Sequence, residues 1–432
     1  MNQLLAARAL MGASLAFHIV YATIGIGLPL MLMIAEGLAL RTGDGEWHDL
    51  ARLWIRPAGV LFAIGAVSGT ILSFELGLLW PQFMAFSGPL IGIAFSMEGF
   101  AFFTEAIFLA LYIYGERRLS RRALFLCTIP LTLASAISAV FVISANGWMN
   151  TPTGFTMVGG VVRDLSPLNA FFNPAWRHEA VHGTLAAYVA TAFAVAGLYA
   201  LAELRGAGFA HPRQALLISL GVATFSLPLM LVSGDWAASA VAKHQEPKLA
   251  AMEAHFRTQA AAALVVGGWP DPATGTVTWG IAIPKLLSIL AKDDPNAVVK
   301  GLDAFPADRV PDPRLVHPLF DLMVGSFFIM ALALARCWWV TWRRRGEPLK
   351  SGTLLLIALA APFGLLALES GWMVTEFGRQ PWVVQGYLRT SQGVTPNSGV
   401  FLVFVAFLLV YLALTLGILR LLLQPKGREG EP

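Results

Sequence analysis

Cysteine is nearly missing: Cys127 and Cys337 are the only two in 432 residues, both in apolar runs and without CxxC or CxxCH spacing. That excludes a disulfide framework, a thiolate zinc site and a covalently attached c-type haem. Charge is scarce too, at 13% of residues, and the net +4 has its arginines in loops, so no nucleic-acid surface is expected. The N-terminus lacks a basic segment followed by a cleavage site. Its first apolar run, through His18 to Ile34, is long enough to span and reads as a retained helix. There is no internal repeat, and no low-complexity tract apart from the polar tail after Gln424. What abounds is apolar sequence: 56% hydrophobic residues and a mean hydropathy of +0.66. This is the composition of a polytopic helical membrane protein embedded in a lipid bilayer.

Nine spans are expected, at roughly 14–38, 57–80, 92–114, 123–147, 182–204, 214–236, 317–340, 352–376 and 398–419. Each is near or above the ~20 residues that cross the hydrocarbon. The chain then divides into six spanning helices (1–236), a long connection (237–316), three further helices (317–424) and a tail (425–432). In the short loops, sixteen Lys or Arg fall on one side, among them Arg41, Arg344, Arg345, Lys426 and Arg428, against five on the other. That asymmetry puts the N-terminus outside and the C-terminus in the cytoplasm. His18, Asn146, His182, Met323 and Glu376 then lie toward the outer surface, with Glu98 in the outer half of its helix and Glu105 about two turns deeper.

The stretch 371–382, GWMVTEFGRQPW, closes the eighth span. Glu369, Trp372 and Glu376 share neighbouring parts of one helical face. A carboxylate facing lipid at mid-bilayer costs ~2.5–3.5 kcal/mol, so the protein interior must have a use for it. Gly378, Arg379, Gln380 and Pro381 then stop the helix and leave a guanidinium beside the carboxylate. His182 and Met323 open two different helices at similar depth, an axial pair suited to a low-spin haem, although an interfacial histidine and a packing methionine would look the same. His18 is followed by Gly25, Gly27 and Pro29, small residues that admit a flat cofactor or a close helix, and a proton-relay role suits it equally. Glu98 and Glu105 are seven apart on one face of a span without Lys or Arg, which favours a proton path over a structural pair. Glu75 is a weaker case of the same kind, and Trp372 either packs between cofactors or fills the core. The connection 237–316 carries Pro/Gly punctuation and a helical-looking stretch, 247–262, with Lys248 and Glu253. A connection of that length is usually functional.

Seven segments in order, FHIVYATIGIGLPL, MEGFAFFTEAIF, ANGWMNTP, EAVHGTLAAYV, PKLAAMEAH, FDLMVG and GWMVTEFGRQPW, resemble subunit I of the cytochrome bd-type quinol oxidases, in the branch with a short quinol loop that includes cyanide-insensitive members. The resemblance implies an all-α membrane protein of the bacterial cytoplasmic (inner) membrane that oxidises quinol at the outer face and reduces O2 to water with cytoplasmic protons. It implies His182 and Met323 as ligands of haem b558. His18 and Glu376 would each ligate one of two high-spin haems, b595 and d (or a third haem b). Glu98 would stand at the oxygen-reducing haem and Trp372 between haems. Glu105 and Ser138 would line the proton route, with Arg8 and Arg379 near haem propionates, and Asn146 would belong with the catalytic residues. Lys248 and Glu253 would bind or deprotonate quinol. Partners would be a homologous multi-span subunit II and a single-span small subunit. One position departs: relatives commonly carry Arg or Gln two residues before the axial Met, and here it is Asp321, which would disfavour a reduced haem unless protonated or paired.

Two rivals remain at this level. A haem-b quinol dehydrogenase or redox protein would keep the haems without oxygen reduction, and a secondary transporter would use Glu75, Glu98, Glu105 and Glu369 as coupling sites.

Overall fold

A computed structural model describes residues 2–159, 161–343 and 349–423. Among the described residues, nine helices are long and apolar enough to cross a membrane. In chain order the helices are α1 (Gln3–Thr42), α2 (Gly45–Leu79), α3 (Pro81–Gly115), α4 (Arg121–Asn150), the short α5 (Pro167–Phe171), α6 (Trp176–Arg205), α7 (Pro212–His244), α8 (Glu246–Met252), α9 (Leu286–Lys292), α10 (Pro313–Arg343), α11 (Ser351–Phe377), the one-turn α12 (Thr390–Gly393) and α13 (Val400–Leu423). All nine expected spans are present, and most run well past their expected limits. Local chemistry sets several ends: the Asn2 side chain accepts from the Leu5 N–H to start α1, and left-handed Gly43 (φ 73°) closes it by donating to Ala39 O. Arg344, Arg345, Lys426, Arg428 and the 425–432 tail lie outside the described residues.

The long connection is 245–312 rather than 237–316, because α7 continues to His244 and α10 begins at Pro313. Its helical-looking stretch is helix only through α8; Ala254 turns left-handed (φ 44°) immediately afterwards. The chain then makes nested antiparallel pairs: β3 (Gln259–Ala260) with β8 (Val298–Val299), β4 (Leu264–Val266) with β7 (Ile281–Ile283), and β5 (Trp269–Asp271) with β6 (Thr276–Thr278). Two further hairpins, β1 (Thr156–Val158) with β2 (Val161–Arg163) and β9 (Trp382–Val384) with β10 (Leu388–Arg389), lie at the same end of the bundle. We call this the loop end, and the opposite end, which carries Arg41, Arg117, Arg118 and Arg205, the basic end.

Helix α6 is the pivot. A Cβ on Gly27 would lie 2.3 Å from Thr191 Oγ1, and Cβ atoms on Gly197 and Gly364 would lie 2.1 Å from Ala361 Cβ and 2.8 Å from Ala190 Cα. Small residues thus let α1 and α11 approach α6 almost backbone to backbone, the usual packing solution in lipid. Helix α6 packs along α7 and α11, and α10 packs along α11, but α6 and α10 share no extensive packing.

Candidate functional site

Two histidines are held by the same device. His18 Nδ1 on α1 lies 2.9 Å from Ser68 Oγ on α2, and Ser68 donates its own proton to Ile64 O (2.9 Å). A serine hydroxyl has one proton to give, so it accepts from Nδ1–H, and Nε2 keeps its lone pair. His182 Nδ1 on α6 lies 3.1 Å from Ser233 Oγ on α7, which donates to Met230 O (3.0 Å). In both cases the next residue is glycine: a Cβ on Gly69 would lie 3.1 Å from His18 Cε1, and one on Gly234 would lie 3.5 Å from His182 Cε1. Each Ser-Gly pair therefore orients an imidazole and leaves room for its ring. Such an outer hydrogen bond fixes the tautomer of a metal-ligating histidine.

Met323 on α10 faces α11, where a Cβ on Gly371 would lie 3.1 Å from its sulfur. His182 is the seventh residue of α6 and Met323 the eleventh of α10, so neither opens its helix as expected; the helices extend farther toward the loop end than their apolar runs. Their two helices both pack against α11.

Glu376, in the last turn of α11, accepts from Asn146 Nδ2 (2.7 Å) and from Arg379 Nη2 (2.5 Å). Arg379 is 2% exposed, yet its Nε and Nη1 have no partner among the described residues. Two unsatisfied guanidinium donors in a buried place cost several kcal/mol (about 1–3 each) unless an acceptor arrives. Asn150 donates to Asn146 Oδ1 and Glu179 Oε1, and Lys248 Nζ donates to Gln245 Oε1 (3.0 Å) and Asn150 Oδ1 (3.4 Å). Burial pulls the Lys248 ammonium below its ordinary value, while the Glu179 carboxylate holds it up. Lys248 thus belongs to the Glu376 cluster. Glu253, five residues on, is buried beside Asp321, and burial first, then that neighbour, pushes its carboxyl up to about 8.

Asp321 is paired: its Oδ2 accepts from Gly267 N–H (2.8 Å) and lies 3.3 Å from His317 Nε2. Fully buried His317 also bonds Met252 O through Nδ1 (2.7 Å), so this pair ties α8, the β4–β5 turn and α10 together.

Trp372 packs against a cluster made by Ile19 of α1, Ala190 of α6 and Leu368 of α11, with Leu15 and Ala186 beside it. It therefore stands between the helices that carry His18, His182 and Glu376. Ser138 donates to Glu98 Oε1 (3.3 Å), and Glu105 is buried one heptad farther toward the basic end, on the edge of a cavity of about 10 Å³ lined also by Pro29, Leu32, Leu109 and Leu131. Glu98 is the midpoint of α3, not in its outer half, because α3 begins at Pro81. Glu75 accepts from Ser14, which accepts from Tyr411 of α13, and its Oε2 has no partner among the described residues. Arg8 is half-buried in the first turns of α1 with no hydrogen bond or ion pair among the described residues.

Sequence reasoning overlooked Asn150, Glu179, Gln245 and His317. The first two carry a visible signal, Asn150 one turn after Asn146 and Glu179 one turn before His182.

The donors fit iron porphyrins. Among the described residues no three His, Cys, Asp or Glu side chains converge on a point, which suits single axial ligands to a metal that brings its own equatorial set. Two imidazoles with Nε2 available, a thioether beside Gly371 and orphaned guanidinium donors suited to carboxylate side arms complete the match.

Comparison with known proteins points to one family. The family model for cytochrome bd terminal oxidase subunit I matches residues 6–428. The chain is 36% identical, over 98% of its length and 96% of the relative's, to a "putative cytochrome bd menaquinol oxidase subunit I" of Bacillus subtilis. It is 27% identical to the cytochrome bd-II ubiquinol oxidase subunit 1 of Escherichia coli, over 87% of its length and 86% of the relative's. Among solved structures it is similar to a chain of bd oxidase from Geobacillus thermodenitrificans, with 36% identity, a TM-score of 0.92 and 98% of both chains covered.

Proposed function

The chain belongs to the cytochrome bd terminal oxidase subunit I family, and from that premise we propose how its residues divide the work. It is a multi-pass membrane protein and the haem-bearing subunit of a quinol oxidase that works with a subunit II. Relatives named as oxidases leave the haem-b dehydrogenase and transporter readings unfavoured. We assign the basic end to the cytoplasm and the loop end to the outside of a bacterial cytoplasmic membrane, following the basic-residue asymmetry.

His182 and Met323 would hold haem b558 between α6 and α10. His18 and Glu376 would each hold one high-spin haem, b595 and either d or a third b, with Arg379 and Arg8 meeting propionates. The observation that carries this reading is the pair of serine-held imidazoles with Nε2 free. When bound, the haems supply one-electron transfer and the reduction of oxygen. The chain's own part is to place and move protons. Glu253 would accept a proton from quinol under the 245–312 connection and release it outside. Lys248, bonded to Gln245 and Asn150, would hold α8 and the quinol against the Glu376 cluster. Trp372 would fill the space between haems and exclude water. Glu105, Glu98 and Ser138 would deliver protons from the basic end, and Asn146 would hold the Glu376 carboxylate. Exposed apolar residues along α2, α3 and α13, such as Phe74, Phe100 and Leu402, leave surface for subunit II and for a single-span small subunit.

Pigment extraction and reduced-minus-oxidised spectra of the purified complex test this directly. The expected result is low-spin haem b together with high-spin haem, and a far-red chlorin band if haem d is present. A preparation without low-spin haem would end the assignment of His182 and Met323.

A further inference from the structure

At the basic end, beyond Glu105, a second buried polar cluster joins three helices. Glu36 of α1 is fully buried, and both its carboxylate oxygens accept from His48 Nδ1 on α2 (2.9 and 3.1 Å). The Tyr112 hydroxyl of α3 donates to Glu36 Oε1, and Tyr112 is itself fully buried. The His48 side chain is 12% exposed, so it is the cluster's opening to water. We propose that His48, Glu36 and Tyr112 form the intake through which cytoplasmic protons reach Glu105. The proposal rests on reading Glu105 and Glu98 as the proton route.

Geometry carries it. Glu98, Glu105 and Tyr112 recur every seven residues on α3, so they form one stripe with only ~20° of drift per heptad. Each step is ~10 Å at 1.5 Å per residue. Two things occupy the step from Tyr112 to Glu105. One is the cavity at Glu105, of about 10 Å³, at the lower limit for one water. The other is a pair of buried hydroxyls on the neighbouring α4, Thr128 and Thr132, whose protons go to Phe125 O and Thr128 O and whose lone pairs stay open. Antiparallel register from the Ser138–Glu98 contact sets Thr128 opposite residue 108, between the Tyr112 and Glu105 levels, and Thr132 opposite residue 104, level with Glu105. The charged neighbours are the ion pair between Arg52 and Glu116, which faces the cluster, and Asp49 beside Arg52.

Each transfer exchanges one bond to hydrogen for another. His48 takes a proton from water at Nε2 and gives up the one at Nδ1 to Glu36. Tyr112 then accepts from Glu36 as its own hydroxyl proton passes to a water on its Glu105 side, which gives up one of its own protons toward the cavity at Glu105. A carboxylate, an imidazole and a phenol could equally staple three helices together, and the test separates the two roles.

The holoenzyme in proteoliposomes carrying Tyr112→Phe, Glu36→Gln, His48→Gln or Glu105→Ala is measured per haem. Tyr112→Phe keeps the ring and its packing, so it covers the case in which Glu36→Gln fails to assemble. The expected result is oxygen consumption and the electrogenic proton-uptake phase slowed together, by ~10-fold or more, in Tyr112→Phe and Glu36→Gln. Haem spectra and the rate of haem reduction by quinol stay unchanged, and the double variant Tyr112→Phe/Glu105→Ala is no slower than its slower parent. If Glu105→Ala is slow while Tyr112→Phe and Glu36→Gln turn over normally, even with lowered melting temperatures, the cluster is a staple and the proposal is overturned. If Glu105→Ala itself is normal, the underlying route is wrong.

Discussion

Ser233 and Ser68 each spend their single hydroxyl proton on their own helix, so each can only accept from the histidine opposite. This gives a residue-level prediction. His182→Ala or Met323→Leu abolishes the low-spin b558 signal and leaves high-spin haem largely in place, as read from difference spectra. Ser233→Ala keeps the ligand but frees its ring, and outer hydrogen bonds of this kind are worth about 10–100-fold in metal affinity; haem b558 should be lost more readily on dilution into detergent, and an unchanged b558 content would refute the device. Glu253 supports a second. Its carboxyl is raised from 4.5 to about 8, chiefly by burial, so below pH 8 it is protonated and cannot take a proton from quinol. The kcat/KM for quinol should rise as pH passes through 8, and Glu253→Gln should flatten that rise with a loss of ~100-fold or more. Stability runs the other way: between pH 4.5 and about 8 the folded chain keeps a proton the unfolded chain has released, so the loop's fold weakens as pH rises through that window. A kcat/KM profile that is already flat below pH 8 would remove Glu253 as the base. His18, His182, Met323 and Glu376 were legible because an ionisable or sulfur group in an apolar span is costly or unusual. The serines and Glu179 were not, because a helical serine more often bonds its own backbone, and these serines do that as well.

Elements were legible where lipid dictates them. Nine apolar runs gave nine helices, since backbone polar groups in hydrocarbon have no other partner. Helix ends were not, because α1, α7 and α10 continue into water and headgroups, where hydropathy no longer speaks. The stretch 247–262 reads as helix from its alanines, but α8 stops at Met252 because Gln259 and Ala260 pair with Val299 and Val298 across the connection. A strand partner about forty residues away outweighs helix propensity of a few tenths of a kcal/mol per residue. Asp321 belongs at this scale. It is tied to Gly267 and His317, and so serves to fasten the connection onto α10. Asp321→Ala leaves the Gly267 N–H without its acceptor, at about 1–3 kcal/mol. Amide exchange across 264–283 should accelerate by roughly tenfold or more, while the b558 spectrum stays, because Met323 remains on an intact α10. Unchanged exchange would show that the clamp does not hold the loop.

Across the whole molecule the polar groups fall into a ladder. Glu376 meets Asn146 near the loop end, and Ser138, which bonds Glu98, is eight residues inward on α4, ~12 Å at 1.5 Å per residue. Glu105 is ~10 Å beyond, and Tyr112 with Glu36 ~10 Å beyond that. The total is close to the ~30 Å of a hydrocarbon core, with no Lys or Arg along α3 to neutralise the carboxylates. On the proposed reading, quinol would give up two protons and two electrons at one surface, and oxygen would take its protons from the other. A chain with one such ladder among the described residues would then move one charge per electron by chemistry alone. Glu105→Ala separates the two halves: haem reduction by quinol should proceed at the parental rate, because Glu253 and the loop end are untouched. Oxygen consumption, and the potential built across proteoliposomes, should fall together by ~10-fold or more. If oxygen consumption fell while each remaining turnover still moved the same charge, the remaining protons would be reaching the oxygen site from the basic end by another path, most simply through subunit II. Normal oxygen consumption in this variant would take Glu105 out of the route altogether.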